Sequence, residues 1–194
     1  MDIDAATFVV IDVETTGLNP STGDRVCEVG AIKIHQGKEL ERYQSLIHPG
    51  RLIPEAARAK HQISDEMVKE SPPFKEIAPK LRTFLAGTVL VAQNAGFDVS
   101  FLNNEFLLSG MAKLGSPAVD TIPLARRVRP GLSTYNLDNL AFHFRVTFNS
   151  RHRSIGDCEV TSRIFLDCLK ALRQRGEVKT LEDLLKKGAP RKQA

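Results

Sequence analysis

The apolar run Phe8-Val9-Val10-Ile11 leads without a break into Asp12-Val13-Glu14, and this stretch restricts the fold more tightly than any other. A continuous apolar run of this length reads as a strand covered on both faces, which puts residues 7–14 at the centre of a sheet. Side chains alternate along a strand, so Asp12 and Glu14 share a face while Val13 points away. At the usual strand rise their Cα atoms stand about 6.6 Å apart, close enough for two carboxylates to converge on one or two divalent ions. Charges beside a core must be paired or hold a metal, because burying them alone is costly. Read by itself, however, the pattern fits better a strand that stops at Ile11 and leaves both acids in water.

The remaining pattern supplies the rest of a mixed sheet. Residues 18–24 have turn composition, and strands over 25–36 and 39–47 meet through Gln36-Gly37-Lys38 as a hairpin. Pro49 and Pro54 then break the chain. Short helices are predicted at 54–60 and 64–70, with Ser64 as an N-cap, and a longer one at 73–86. A strand at 88–92, a helix at 97–109 and a brief strand at 117–119 follow. The 97–109 helix carries Phe97, Phe101 and Leu108 on one side. Further helices are predicted at 120–128, 135–142, 155–174 and 179–187. Antiparallel strands followed by alternating helix and strand predict an α/β fold, one mixed β-sheet flanked by α-helices.

Two later acidic motifs join the first. Asn94-Ala95-Gly96-Phe97-Asp98 follows Val89-Leu90-Val91 at a strand-to-helix junction. Alone, Asp98 reads as a dipole partner of the helix start and Asn94 as a turn residue. His152-Arg153-Ser154-Ile155-Gly156-Asp157 discriminates better. Asp157, Val160, Ile164 and Cys168 fall at i, i+3, i+7 and i+11, so Asp157 continues an inward-facing row. His152, five residues earlier, must approach from the preceding loop, where a histidine beside a metal-bound carboxylate can take a proton from water. A histidine between two arginines is otherwise an ordinary surface residue. Together the three motifs point to a metal-dependent phosphoryl-transfer site.

Composition sets the bounds. With 194 residues, 42% of them hydrophobic, the chain suits one well-buried domain. A net charge of +4 tolerates a nucleic-acid partner without demonstrating one; its clusters are Arg126, Arg127 and Arg129, then Arg151 and Arg153. The three cysteines are odd in number and form no CxxC pair, which reads as reduced structural thiols in a cytoplasmic protein. The first residues carry no basic leader, and no apolar stretch reaches membrane-spanning length. The tail from Gly188, with Arg191 and Lys192, reads as a solvated, frayed end.

In order and separation the three motifs resemble those of the DEDDh family of 3′→5′ exonucleases, within the ribonuclease H-like fold class. Asp12 to Gly17 resembles that family's Asp-x-Glu-Thr-Thr-Gly, Asn94 to Asp98 its Asn-x-x-Phe-Asp, and His152 to Asp157 its His-x-x-x-x-Asp. The resemblance spans about residues 7–173. Lys60 to Ser64 and Tyr135 to Leu140 resemble segments of the subgroup formed by the epsilon proofreading subunit of bacterial DNA polymerase III and its stand-alone relatives. Gln93 departs from the histidine common before the asparagine. A clamp-binding Gln-x-x-Leu-Phe motif and a polymerase domain are missing from the sequence, which weighs against polymerase association more than against the chemistry.

The resemblance implies an exonuclease domain over residues 1–175 with a basic C-terminal helix and tail over 176–194. It implies hydrolysis of single-stranded or mismatched 3′ ends of DNA to nucleoside 5′-monophosphates. Asp12, Glu14, Asp98 and Asp157 would hold two Mg²⁺ or Mn²⁺ ions, with His152 as general base. The backbone around Thr15 and the side chain of Leu18 would contact the terminal nucleotide, and Asn94 and Phe97 would help shape its pocket. RNA as substrate, partnership with a polymerase, an inactive nucleic-acid-binding module and an endonuclease on the same fold stay open as alternatives.

Overall fold

The computed structural model describes residues 2–190. Its central strand β1, Thr7–Thr15, does not stop at Ile11. Antiparallel pairing with β2, Val26–His35, carries on through Asp12↔Gly30 and Glu14↔Glu28. Both acids are therefore held in a ladder, and the reading that left them in water is overturned. Strand β3, Lys38–Leu46, follows a two-residue turn in which Gln36 and Gly37 have φ of 50° and 74°. Two successive left-handed residues match the twist of a tight hairpin. On the other side of β1 lie β4, Val89–Ala92, and β5, Ala118–Asp120, both in parallel pairings. The order β3-β2-β1-β4-β5 is the expected mixed sheet.

Helices cover both faces: α1 (Glu55–His61), α2 (Asp65–Val68), α3 (Phe74–Leu85), α4 (Ala95–Leu108), α5 (Thr121–Val128), α6 (Leu137–Phe144), α7 (Ser154–Gln174) and α8 (Leu181–Lys187). Val9, Ile11 and Val13 pack with α3 and α4, while Phe8 and Val10 pack with α5, α6, α7 and α8. The stripe Asp157, Val160, Ile164 and Cys168 on α7 is buried as its spacing predicts.

Several boundaries differ from expectation for local reasons. Helix α2 has only four residues, because Ser71-Pro72-Pro73 follows and a residue before proline disfavours the helical region. Helix α6 starts at Leu137, two residues late, because the Asn136 side chain caps the Asn139 N–H at 2.9 Å. Leu108 lies at the end of α4 beyond the core edge and is exposed, unlike Phe101. After α7 the chain stays attached: Val178 and Leu184 are buried, and the Gly188 carbonyl accepts from the Asp120 N–H at 2.7 Å. The expected frayed tail with Arg191 and Lys192 lies outside the described residues. Among the described residues no helix is long and apolar enough to cross a membrane.

The seat of α7 fixes the third motif. A Cβ on Gly30 would stand 2.6 Å from the Ser154 carbonyl carbon, so only glycine lets the first turn of α7 rest on β2. Beside it Glu28, fully buried, accepts the Ser154 N–H at 2.9 Å and a charge-assisted bond from Arg153 Nη2 at 2.5 Å.

Candidate active site

The C-terminal end of β1, the β4–α4 junction and the first turn of α7 meet around a cleft of about 540 Å³. Crevices outside the carboxyl ends of strands are where open α/β sheets bind ligands. All five residues predicted to be catalytic line it: Asp12, Glu14, Asp98, His152 and Asp157. One carboxylate oxygen from each of Asp12, Glu14 and Asp157 lies within 4.8 Å of the others. Asp98 does not join this trio. The parallel β1–β4 pairing covers only Phe8, Val9 and Val10, and Asp98 Oδ1 accepts the Val13 N–H at 3.0 Å.

Like charges crowded into a buried site hold their protons. Burial, followed by the charges of Asp98, Glu14 and Asp157, pushes Asp12 well above the usual carboxylate range. Burial first, then Asp157 and Glu28, raises Glu14 to about 7. Asp98 goes up to about 8 through burial, against the pull of the Val13 N–H. Asp157 rises to about 6, again through burial, with the Arg151 charge acting the other way. Arg151 Nη1 donates to Asp157 Oδ2 at 2.5 Å, and its Nε and Nη2 fork onto Asp138 at 2.6 and 2.9 Å. Asp157 Oδ1 is buried and makes no well-formed hydrogen bond, although the His152 N–H lies near enough to lower the pKa of this carboxyl. Carboxylates that repel each other form an all-oxygen donor set that suits a hard divalent cation.

His152 sits in the loop before α7, as expected, with φ of 58°. Such a backbone angle is uncommon outside glycine and is held here by the surrounding site. Burial and the neighbouring Arg151 charge lower its pKa below 6.5, so the imidazole is neutral near pH 7 and able to accept a proton.

Three of the four predicted nucleotide contacts, Leu18, Asn94 and Phe97, also line the cleft. Leu18 stands out from the protein at 81% exposure, and Phe97 packs on Phe101 with ring centres 4.8 Å apart. Thr15 is not part of the cleft wall. Its hydroxyl donates to the Gly17 carbonyl at 2.6 Å, and its carbonyl lies 3.3 Å from Nε2 of the buried His61. His61 Nδ1 accepts the Ile63 N–H at 3.0 Å, so Nε2 carries the proton and donates to Thr15. Thr15 thus braces the loop that presents Leu18.

The cleft is also lined by residues to which the sequence assigned no role in the site: Lys60, Gln93, Asp120, Arg126, Tyr135 and Arg151. Asp120 accepts the N–H of Asn94 at 3.1 Å and of Ile122 at 2.9 Å, joining the second motif to α5. Gln93, the departure from histidine, donates to the Tyr135 carbonyl at 2.7 Å and accepts from the Thr121 hydroxyl. Lys60 and Tyr135 carried a signal as the first residues of the two subgroup-like segments, Gln93 as the departure before Asn94, and Arg126 and Arg151 as members of basic clusters, whereas Asp120 carried none.

Fold and cleft together define a ribonuclease H-like α/β domain with a carboxylate-lined crevice. The chain belongs to the exonuclease family: the family model described as Exonuclease (RNase T) matches residues 9–165. The DNA polymerase III subunit epsilon of Treponema pallidum is 40% identical over 160 residues, which are 81% of this chain and 74% of that protein. The DNA polymerase III subunit epsilon-like protein of Rhodobacter capsulatus is 38% identical over 178 residues, 90% of this chain but 25% of that one. The 3′-5′ exonuclease DinG of Bacillus subtilis is 37% identical over 167 residues, 86% of this chain and 18% of its own length. The chain thus spans a quarter or less of these last two relatives. The fold is shared with exonuclease X bound to 5′-overhanging duplex DNA, at TM-score 0.73 and 23% identity over 94% of this chain and 99% of that one. It is shared also with Escherichia coli exonuclease I bound to a dT13 oligonucleotide, at TM-score 0.77 and 19% identity over 88% and 42%.

Proposed function

We propose that this protein is a metal-dependent 3′→5′ exonuclease that removes nucleoside 5′-monophosphates from single-stranded or mismatched 3′ ends of DNA. What carries the reading is the convergence of carboxylate oxygens from Asp12, Glu14 and Asp157 within 4.8 Å of one another, in a cleft that Asp98 and His152 also line. Two Mg²⁺ or Mn²⁺ ions, held by those four carboxylates, would supply a polarised water and neutralise charge at the phosphate. His152 takes the proton of the attacking water, for which its lowered pKa suits it. Arg151 fixes Asp157 in place and is itself fixed by Asp138. Leu18, Asn94 and Phe97 wall the space for the terminal nucleotide, which must be unpaired to enter. Thr15 supports that wall from behind. Residues 1–175 form the exonuclease domain on this reading, and 176–194 its basic C-terminal helix and tail.

DNA is preferred over RNA because relatives at 38% and 40% identity are named as a DNA polymerase III subunit epsilon-like protein and a DNA polymerase III subunit epsilon. The fold alone does not choose, since a 3′-exonuclease that recognises histone mRNA stem-loop shares it at TM-score 0.73 and 15% identity. The same relatives support a cytoplasmic location and a DNA polymerase as partner. The test uses end-labelled single-stranded DNA and RNA of equal length, with Mg²⁺ and then Mn²⁺. Mononucleotides accumulating from the 3′ end of DNA, and none in EDTA, are expected. Internal fragments from a closed single-stranded circle, or full activity in excess chelator, would overturn the reading.

A further inference from the structure

The cleft wall opposite the sheet carries a cation that the chemistry above does not use. Arg126 lies on α5 one turn after Ile122, and both side chains line the cleft. Its guanidinium is exposed and stacks on the ring of Tyr135, 4.2 Å from the centroid. That ring is held at both ends: the Tyr135 hydroxyl donates to the Arg129 carbonyl at 2.8 Å, and its carbonyl accepts from Gln93 at 2.7 Å. The next residue, Arg127, turns away to Glu177 at 3.8 Å. Arg126, by contrast, makes no ion pair or hydrogen bond with another described residue. The stacked face leaves its donor edges open, and a planar fork of this kind matches phosphate oxygens.

Its place in the fold sets it apart from the reacting centre. Lys60, the other exposed cation of the cleft, acts directly on Glu14 and Asp157 and lowers the pKa of both. Helix α5 instead follows β5, two strands over from β1. At ordinary strand spacing that offset is about 10 Å. Successive phosphates of a strand stand farther apart than their axial rise of about 3.4 Å, so the offset corresponds to one or two linkages.

Resting on the nuclease reading, we propose that Arg126 is a substrate-length sensor. It binds an internucleotide phosphate one or two linkages upstream of the scissile one, with Tyr135 and Gln93 as its fixed platform. Its contribution is then absent from a substrate with one phosphate and present in an oligonucleotide.

The experiment compares the p-nitrophenyl ester of thymidine 5′-monophosphate with oligothymidylates of two to eight nucleotides, in Mn²⁺. Wild-type kcat/KM should step up roughly tenfold, the worth of one charge-assisted contact, once a phosphate reaches Arg126. Arg126→Gln should remove that step through KM rather than kcat. It should also reduce the slope of log(kcat/KM) against log[salt] by about 0.7, the value of one single-strand phosphate contact. Arg126→Lys, which keeps the charge but loses the stacked fork, should keep the salt slope and only part of the step. A step that persists in Arg126→Gln overturns the inference. So does a wild type that cleaves all lengths equally well, which leaves the nuclease reading standing. A wild type that cleaves neither ester nor oligonucleotide removes the nuclease reading itself.

Discussion

Gly30→Ala tests whether the seat of α7 controls the site. The added methyl would lie 2.6 Å from the Ser154 carbonyl carbon and 2.7 Å from the Ile155 nitrogen. Ordinary carbon contacts lie at about 3.5–4.0 Å, so helix and strand must separate by about 1 Å. Both obstructing atoms are backbone, which leaves no side chain to swing aside. Overpacking of this kind costs about 1–3 kcal/mol. For a domain of this size that corresponds to a Tm loss of roughly 2–12 °C. The displaced turn also carries Asp157, and a shift of about 1 Å in a catalytic group costs on the order of 100-fold in rate. Gly115→Ala, where a Cβ meets nothing within 4 Å, is the control. Differential scanning fluorimetry with a single-stranded DNA digestion assay reads both effects. A Gly30→Ala protein that keeps its Tm and cleaves within threefold of wild type would refute the reasoning.

Three further expectations follow from the cleft. His152→Asn, chosen because asparagine tolerates a φ of 58°, should lower kcat by roughly 10²–10⁴-fold while calorimetric Mn²⁺ binding changes little; near-normal turnover would end the general-base assignment. In EDTA, Glu14, Asp98 and Asp157 have folded-state pKa values of about 7, 8 and 6, above their unfolded values near 4. The folded state then binds more protons, so these groups stabilise at low pH, and Tm should fall as pH rises from about 4 to 8. Added Mg²⁺ or Mn²⁺ should raise Tm most at the upper end of that window, and a flat profile in EDTA would contradict the crowded-carboxylate picture. Finally, a mismatched 3′ terminus should be cut faster than a paired one, because melting one DNA step costs about 1.4 kcal/mol; equal rates in a stopped time course would count against a pocket that needs an unpaired end.

What the sequence disclosed and what it hid divide along contact distance in the chain. The strand period placed Asp12 and Glu14 on one face, and the helical stripe aimed Asp157 inward. Motif order then brought Asp98 and His152 to the same cleft. The bonds that hold these groups are another matter. Glu28 meets Arg153 125 residues away, and Glu105 accepts from Arg25 80 residues away. Such pairs exist only once the layers have packed, so no local pattern announces them. The Arg126–Tyr135 stack and the Arg151–Asp138 fork are closer in the chain, but each joins a helix to an irregular segment whose path no periodicity gives, so they too are hidden. Thr15 shows what a motif does not tell: its hydroxyl is engaged with the Gly17 carbonyl of its own loop.

The bond from the Val13 N–H to Asp98 Oδ1 has a practical consequence for making dead enzyme. Asp98 completes the backbone pairing of the central strand where β4 no longer reaches it. Alanine there would delete a carboxylate and also strand an amide in the interior, so lost activity could not be separated from a loosened strand. Asparagine keeps an oxygen for that amide while discarding the charge. Asp98→Asn is therefore the cleaner substrate trap, whereas at Asp157, whose Oδ1 makes no well-formed hydrogen bond, the same replacement installs an amide group where a cation would sit.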